Sequence, residues 1–347
     1  MLLTAGCSGG EKPTSPTEAT EFKEITVGNK LRKELDSFVE KRGIEGVLSL
    51  RQNGKTVYER YSGEDENGKR LGSDTNMFIA SVSKQFCAAA VMLLSERGKL
   101  SLSDTLGKYF PEYKHEITLK HLLSMRSGLR QLETDDGGLA VELGDDAEKN
   151  IETVKNYILA QEPAAKPDTK YDYNNLNYLL LALIVEKASG QGYIDFLREN
   201  IFDPLGMNQT GSIEEVRAGA KWVKGIKSDS EILRMNPAGI PLGCGDLVST
   251  ADDMDKWMTG LRSLKIVNEK SLKEMTADHS PEKDISYGYG LQALYGSGYG
   301  HPGRISYYTS LDFIDPENGL RLFVCSGDAV DGIESFPQEF FGKFFGE

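Results

Sequence analysis

Phe78-Ile79-Ala80-Ser81-Val82-Ser83-Lys84-Gln85-Phe86 is the stretch on which the reading of this chain turns. It opens a run from Ser81 to Gly98 in which Val82, Phe86, Ala89, Ala90, Leu93 and Leu94 share one helical face. Residues three apart lie side by side on a helix, so Lys84 stands next to Ser81. The helix N-terminus adds a positive dipole, which favours an alkoxide or anion at that end. A hydroxyl with an amine beside it is the pattern of an activated nucleophile. The Ser-x-x-Lys motif is weak by itself, and it recurs at Ser280-Pro281-Glu282-Lys283. That second copy sits in a polar stretch with no apolar run after it. A lone match is more often a capping serine with a surface lysine.

Outward from Ser81 the chain changes character on both sides. Before it, Leu31, Leu35, Phe38 and Val39 keep helical spacing over residues 29–42, and Gly43 stops that helix. Val47 to Arg51 and Val57 to Tyr61 read as two strands joined at Asn53-Gly54, a strong hairpin signal. After it, residues 99 to about 249 contain little β-like alternation. Their apolar runs at 117–125, 151–160, 176–188 and 193–202 read as helices, and Gln131 to Asn150 as an exposed acidic loop. A helix is expected at Ala251 to Leu264. Strands are expected at Tyr287 to Leu294, Arg304 to Ile314 and Leu320 to Cys325, and a last helix near Ile333 to Phe345. The expected organisation is a sheet domain from 28–98 and 250–347, with a helical lobe of 99–249, forming one catalytic unit. Two N-terminal and three C-terminal strands would share one antiparallel sheet. A cleft between two lobes is a favoured ligand site.

The bulk composition narrows the function. The chain has 347 residues, 39% hydrophobic and 27% charged, enough for a packed core. A net charge of −13 speaks against nucleic acid as a partner. No apolar run approaches the roughly 20 residues of a membrane-spanning helix. The four cysteines, Cys7, Cys87, Cys244 and Cys325, form no C-x-x-C pair and no metal-ligand spacing, so neither disulfides nor a metal or other cofactor are expected. The α/β-hydrolase G-x-S-x-G elbow and the phosphate-binding Gly loops are absent.

Two further motifs raise Ser81-x-x-Lys84 above a chance match. Among fifteen tyrosines only Tyr173-Asn174-Asn175 forms Tyr-x-Asn, and among four histidines only His301-Pro302-Gly303 forms His-x-Gly. In that order they resemble the serine β-lactamase and penicillin-binding-protein superfamily, in particular its class C β-lactamases, DD-peptidases and related esterases. Tyr-x-Asn stands where class A enzymes have Ser-Asp-Asn, and His-x-Gly where they have Lys-Thr-Gly. Ser127-Gly128-Leu129, Pro204-Leu205-Gly206-Met207 and Leu247-Val248-Ser249-Thr250-Ala251 resemble further family stretches, so the likeness spans nearly all of 28–346.

The resemblance implies an α/β (α+β) fold of the β-lactamase/transpeptidase-like type, an antiparallel sheet flanked by helices plus a mostly helical lobe. It implies a serine hydrolase in which Ser81 attacks a carbonyl and becomes acylated while Lys84 and Tyr173 share the proton work. Asn175 would orient the substrate amide, and His301 and Gly303 would line the opposite wall on an edge strand. The N–H groups of Ser81 and Arg304 would hold the oxyanion. The substrate would be a D-amino-acid peptide, a small ester or a β-lactam. The alternative is a module that senses cell-wall peptides or penicillin without turnover. His301 replaces the lysine typical of β-lactamases, which favours D-peptides or esters. Tyr307 stands where the family has a glycine and would narrow the cleft. Strand alternation points the Arg304 side chain away from the cleft.

Residues 1–10, Met-Leu-Leu-Thr-Ala-Gly-Cys-Ser-Gly-Gly, resemble the end of a bacterial lipoprotein signal, and Ser8 to Thr20 has a tether's composition. Residues 1–27 are therefore expected to be a signal remnant and flexible tether. The protein would be exported and held at the bacterial cell envelope by a lipid on Cys7, its only membrane link. In a host that supplies a full leader, the protein should partition into membranes, and Cys7→Ser should release it or leave its precursor uncleaved. An unlipidated, fully soluble wild type in fractionation and mass spectrometry would remove the anchor.

Overall fold

The computed structural model describes residues 24–133, 138–221, 226–227, 238–280 and 286–345. Cys7, most of the tether, and Lys283 of the second Ser-x-x-Lys copy lie outside them. The frame is an antiparallel sheet of six strands in the order β2-β1-β10-β9-β8-β7. Its strands are β1 (Gly46–Gln52), β2 (Lys55–Tyr61), β7 (Gln292–Tyr295), β8 (Gly298–Ile305), β9 (Tyr308–Asp315) and β10 (Leu320–Ser326). The hairpin at Asn53-Gly54 forms, with positive φ at both residues. β1 then pairs with β10 from Gly46↔Ser326 to Gln52↔Leu320, which closes the two ends of the chain into one sheet.

Side-chain alternation sorts the sheet's two faces. Leu48, Leu50, Leu311, Phe313, Leu322 and Val324 point outward and pack under α1 (Asn29–Lys41) and the C-terminal helix Phe336–Phe344. Val47, Tyr308, Ile314, Phe323 and Cys325 point inward against α2 (Ser83–Glu96) and the helix Ala251–Arg262. Every residue of β10 is buried, Arg321 included, so Leu322 to Cys325 form an apolar run there instead of alternation.

Between these ends the chain is chiefly helical. This part holds α3 (Leu106–Tyr109), α4 (Leu119–Leu123), α5 (Ala147–Ala160) and α6 (Asn175–Ser189), and α6 packs along α2, whose residues Ser83 to Leu94 are all buried. A helix buried on all sides belongs at the centre of a core. Phe86 stacks on Trp257 with ring centroids 4.1 Å apart.

The structure departs from the sequence reading in three places. The C-terminal half of the sheet has four strands, not three: the run 304–314 is a hairpin that turns at Ser306-Tyr307, with φ +53° at Ser306. Pro302 and Gly303 hid the first of those strands. Pro302 pairs with Leu311 at a non-hydrogen-bonded position, where its missing N–H costs no ladder bond. Second, a small sheet of β3 (Asn76–Phe78), β4 (Gly211–Ser212), β5 (Ile226–Lys227) and β6 (Leu247–Ser249) links the helical region to the segment before Ser81. Strands of two or three residues are too short to show a period. Third, α2 starts at Ser83, and Ser81 lies in a preceding 3-10 turn, Ala80–Val82.

A buried polar chain ties α2 to the sheet. Trp257 Nε1 donates to Gln85 Oε1 at 3.0 Å. Gln85 Nε2 donates to Asp312 Oδ1 at 2.5 Å, and His301 N donates to the same oxygen at 2.9 Å. Among the described residues Asp312 Oδ2 is buried without a partner, and burial pushes this carboxyl up to about 7. An unfolded aspartate ionises near ~3.9. The native state therefore holds this proton where the unfolded state has released it. The resulting stability is complete below ~4 and drains away as pH rises towards about 7. Relative to Asp312→Asn, the wild type should lose stability over that interval in urea melts at stepped pH. A constant difference between the two proteins would refute the protonated carboxyl.

Candidate active site

Ser81 is placed by the turn before α2. Ile79 N bonds Leu247 O at 3.1 Å, and Ile79 O accepts from Val82 N and from Ser310 Oγ at 2.6 Å. Between these anchors Ala80 is held at φ +47°, a left-handed conformation unfavourable for a residue with a Cβ. Such strain persists only where the surroundings over-determine it. One turn on, Lys84 is fully buried. Its Nζ donates to Ser81 Oγ at 2.9 Å and to Cys244 O at 2.7 Å. The segment that carries Cys244 is lashed to the same helix, since Leu247 N donates to Ser83 Oγ at 3.1 Å.

Tyr173 arrives from the loop before α6. Lys84 Nζ lies 4.9 Å from its ring centroid and 5.8 Å from that of Tyr178. The middle residue of the motif is structural: Asn174 caps α6 by accepting from Leu176 N at 2.9 Å, and its Nδ2 reaches Leu129 O and Arg130 O, each at 3.1 Å. Gln131 Nε2 donates to Tyr173 O at 3.0 Å. Asn175, the first residue of α6, is exposed.

His301 is buried on β8, facing inward with Asp312. Its ring centroid stands 6.2 Å from that of Tyr173 and 5.8 Å from that of Tyr287. Burial, and then the charge of nearby Lys84, push the imidazole down to about 3, so it is neutral at pH 7. β7 pairs with β8 only as far as Gly300, which leaves His301 to Ile305 open on that side. Gly303 fills this opening at close range. A Cβ there would lie 2.4 Å from Ser310 Oγ, 2.7 Å from Ile79 O and 3.0 Å from Ser81 N. Ile305 and Tyr308 close a two-residue hairpin as a hydrogen-bonded pair, and such pairs alternate with non-bonded ones. Arg304 is therefore at a non-bonded position, and its N–H points off the ladder on the open side. Its side chain is exposed, with Nη2 donating to Val330 O at 3.4 Å. Tyr307 sits in the hairpin turn, its ring 5.8 Å from Tyr308.

A cavity of about 290 Å³ opens at Ser81, with Asn175 and Arg304 on its lining. Lys84, Tyr173 and His301 do not line it. Residues the sequence reading missed do: Leu132, Glu133, Leu139, Ile240 and Pro241. Nothing in their spacing marks them, because they come from separate loops that only the fold brings together. Tyr287 was missed for the same reason. The other Ser-x-x-Lys serine, Ser280, is buried and accepts a bond from Tyr287 N at 2.9 Å. It serves the backbone. Cys87, Cys244 and Cys325 are free and buried. Among the described residues no group of His, Cys, Asp and Glu could hold a metal ion, and no helix is long and apolar enough to cross a membrane.

The structure resembles the octameric penicillin-binding protein homologue from Pyrococcus abyssi, at 26% identity and TM-score 0.73, over 90% of this chain and 76% of that one. It is likewise similar to the D-amino acid amidase from Ochrobactrum anthropi SV3, at 27% identity and TM-score 0.70, over 89% and 93% of the two chains. In sequence it is 26% identical to a teichoic acid D-alanine hydrolase of Staphylococcus aureus (strain NCTC 8325 / PS 47) over 75% of this chain, spanning 65% of that protein. The family model described as Beta-lactamase matches residues 31–331. With that match over most of its length, and with the antiparallel sheet and flanking helices of those solved structures, this chain belongs to the beta-lactamase family.

Proposed function

We propose that this protein is a serine hydrolase acting on D-aminoacyl amides or esters that retain a free ammonium group. The observation that carries the reading is the 2.9 Å bond from Lys84 Nζ to Ser81 Oγ at the mouth of a cavity that also holds Glu133. Among the described residues Glu133 has no hydrogen-bond or ion-pair partner. The rest of that wall is largely apolar, from Leu132, Leu139, Ile240 and Pro241. An unpaired carboxylate beside an apolar surface suits a small amino acid's ammonium and side chain. The D-amino acid amidase and the D-alanine hydrolase are named for substrates of this kind.

In this reading residues 28–98 and 250–347 form one lobe, 99–249 the other, and substrate lies between them. Ser81 Oγ attacks the acyl carbonyl, and its proton leaves through the Lys84–Tyr173 pair. The carbonyl oxygen becomes an oxyanion held by the N–H groups of Ser81 and Arg304; one such donor typically contributes about 3–4 kcal/mol to lowering the barrier. The bond to the amine or alcohol breaks, that group departs with the proton, and the acyl chain stays on Ser81. Water then attacks the acyl carbonyl and restores the serine. Asn175 orients the substrate amide. His301, neutral and buried, supplies a wall without charge. With Glu133 in the cavity and no lysine at position 301, a substrate carboxylate is disfavoured, which sets β-lactams and peptide C-termini below D-aminoacyl groups. A lipid on Cys7 would hold this activity at the cell envelope.

Ser81→Ala should abolish hydrolysis and covalent labelling by a fluorophosphonate, whereas Ser280→Ala should still take the label. Lys84→Ala and Tyr173→Phe should each cost about 10²- to 10⁴-fold in kcat, as loss of general-base help does. An adduct that survives Ser81→Ala in intact-mass spectrometry would end the assignment. Labelling without steady-state turnover on any amide or ester would favour the sensing role.

Glu133→Gln should raise KM for D-amino acid amides about tenfold or more, the size of a lost charge-assisted bond. It should leave the N-acetylated amides unchanged. Equal effects on free and acetylated substrates would remove Glu133 from ammonium recognition.

A further inference from the structure

The histidine of the site has a partner that the proposed mechanism does not use. Nδ1 of His301 lies 2.5 Å from Pro302 O. A carbonyl oxygen can only accept, so Nδ1 carries the proton. In the neutral ring Nε2 then holds a lone pair. Tyr287 Oη stands 3.3 Å from that nitrogen and is the donor to it. Tyr287 is fully buried. Its ring also meets Tyr173 edge-on, with centroids 6.1 Å apart at 84°, and packs against Tyr171 at 5.5 Å. One side chain therefore touches both His301 and Tyr173.

Tyr287 is itself held by its backbone. Its N–H donates to Ser280 Oγ at 2.9 Å, and its carbonyl accepts from His279 N at 2.8 Å. The backbone is thus anchored without the hydroxyl, which faces Tyr178 as well as His301.

We propose that Tyr287 is a positioning residue of this site: its hydroxyl fixes His301 in the Nδ1-protonated tautomer, and its ring edge braces Tyr173 beside Lys84. The inference rests on the reading of Ser81, Lys84 and Tyr173 as the reacting groups. It has a definite consequence. With Nε2 occupied by the Tyr287 hydroxyl and Nδ1 by Pro302 O, His301 has no free nitrogen for proton transfer. The proton work falls to Lys84 and Tyr173 alone, and His301 contributes shape and a fixed dipole.

The test uses the full chain labelled with ¹⁵N-histidine, with His301→Gln to assign the imidazole signals. In the wild type, His301 should show a protonated Nδ1 and an unprotonated, hydrogen-bonded Nε2. Tyr287→Phe keeps the ring, should keep the unfolding midpoint, and should shift the Nε2 resonance. It should lower kcat on a D-amino acid amide about three- to tenfold, the effect of losing one hydrogen bond, with KM unchanged. Tyr287→Leu also removes the ring edge from Tyr173 and should lower kcat further. A wild-type His301 protonated at Nε2 would overturn the proposal. So would a Tyr287→Phe protein whose Nε2 resonance and kcat both match the wild type. Failure of the parent reading looks different: turnover would persist in Ser81→Ala while the tautomer result stood.

Discussion

The arrangement depends on one buried amine. Lys84 Nζ is shared between Ser81 Oγ and Cys244 O, and no carboxylate bonds it among the described residues. A long cationic side chain buried without a bonded counter-ion needs acceptors and polarisable neighbours on every side. Two oxygens take two of its hydrogens, and the faces of Tyr173 and Tyr178 lie within 6 Å. These neighbours come from three separate parts of the chain. The 3-10 turn brings Ser81, the loop before β6 brings Cys244, and the start of α6 brings the two tyrosines.

Holding those parts in register is the work of the surrounding polar contacts. Leu247 N on Ser83 Oγ fixes the Cys244 loop to α2. The chain from Trp257 through Gln85 to Asp312 and His301 N fixes α2 to β8 and β9. Gly303 lets β8 approach the turn at Ala80 to a distance no side chain would allow. The cost is visible in the same place. Ala80 carries a positive φ, and Asp312 buries an oxygen that nothing satisfies. Both sit within the layer joining the Ser81 turn to the strand opposite it. Local strain of this kind is retained where the surrounding packing holds it, and here the packing is that of a fully buried central helix.

The electrostatics of the site follow from burial more than from charge pairing. His301 is neutral because it is out of water and close to Lys84. Glu133, an acid without a partner among the described residues, is exposed, and so is Asn175. Lys84 and His301 thus lie in a dry interior, Ser81 and Tyr173 are half-buried, and Glu133 and Asn175 lie on the exposed side. Hydrogen bonds are stronger on the dry side of such a boundary.

Much of this was legible in the residues. Local geometry alone places Lys84 beside Ser81, since three residues make nearly one helical turn. Asn53-Gly54 announces its hairpin, and the order Ser-x-x-Lys, Tyr-x-Asn, His-x-Gly carries the family. These are short-range signals, set by a few neighbouring side chains. What the sequence left open is long-range. It could not show that Cys244 O, 160 residues away, is the second partner of Lys84. It could not show that Pro302 sits harmlessly inside a strand, because strand register depends on the partner strand. Ser280 and Ser81 share a motif, yet only the fold makes one a backbone cap and sets the other at a cavity. The tautomer of His301 and the placement of Glu133 were decided in the same way. Burial and contact between distant segments set them, and no local pattern records which segments will meet.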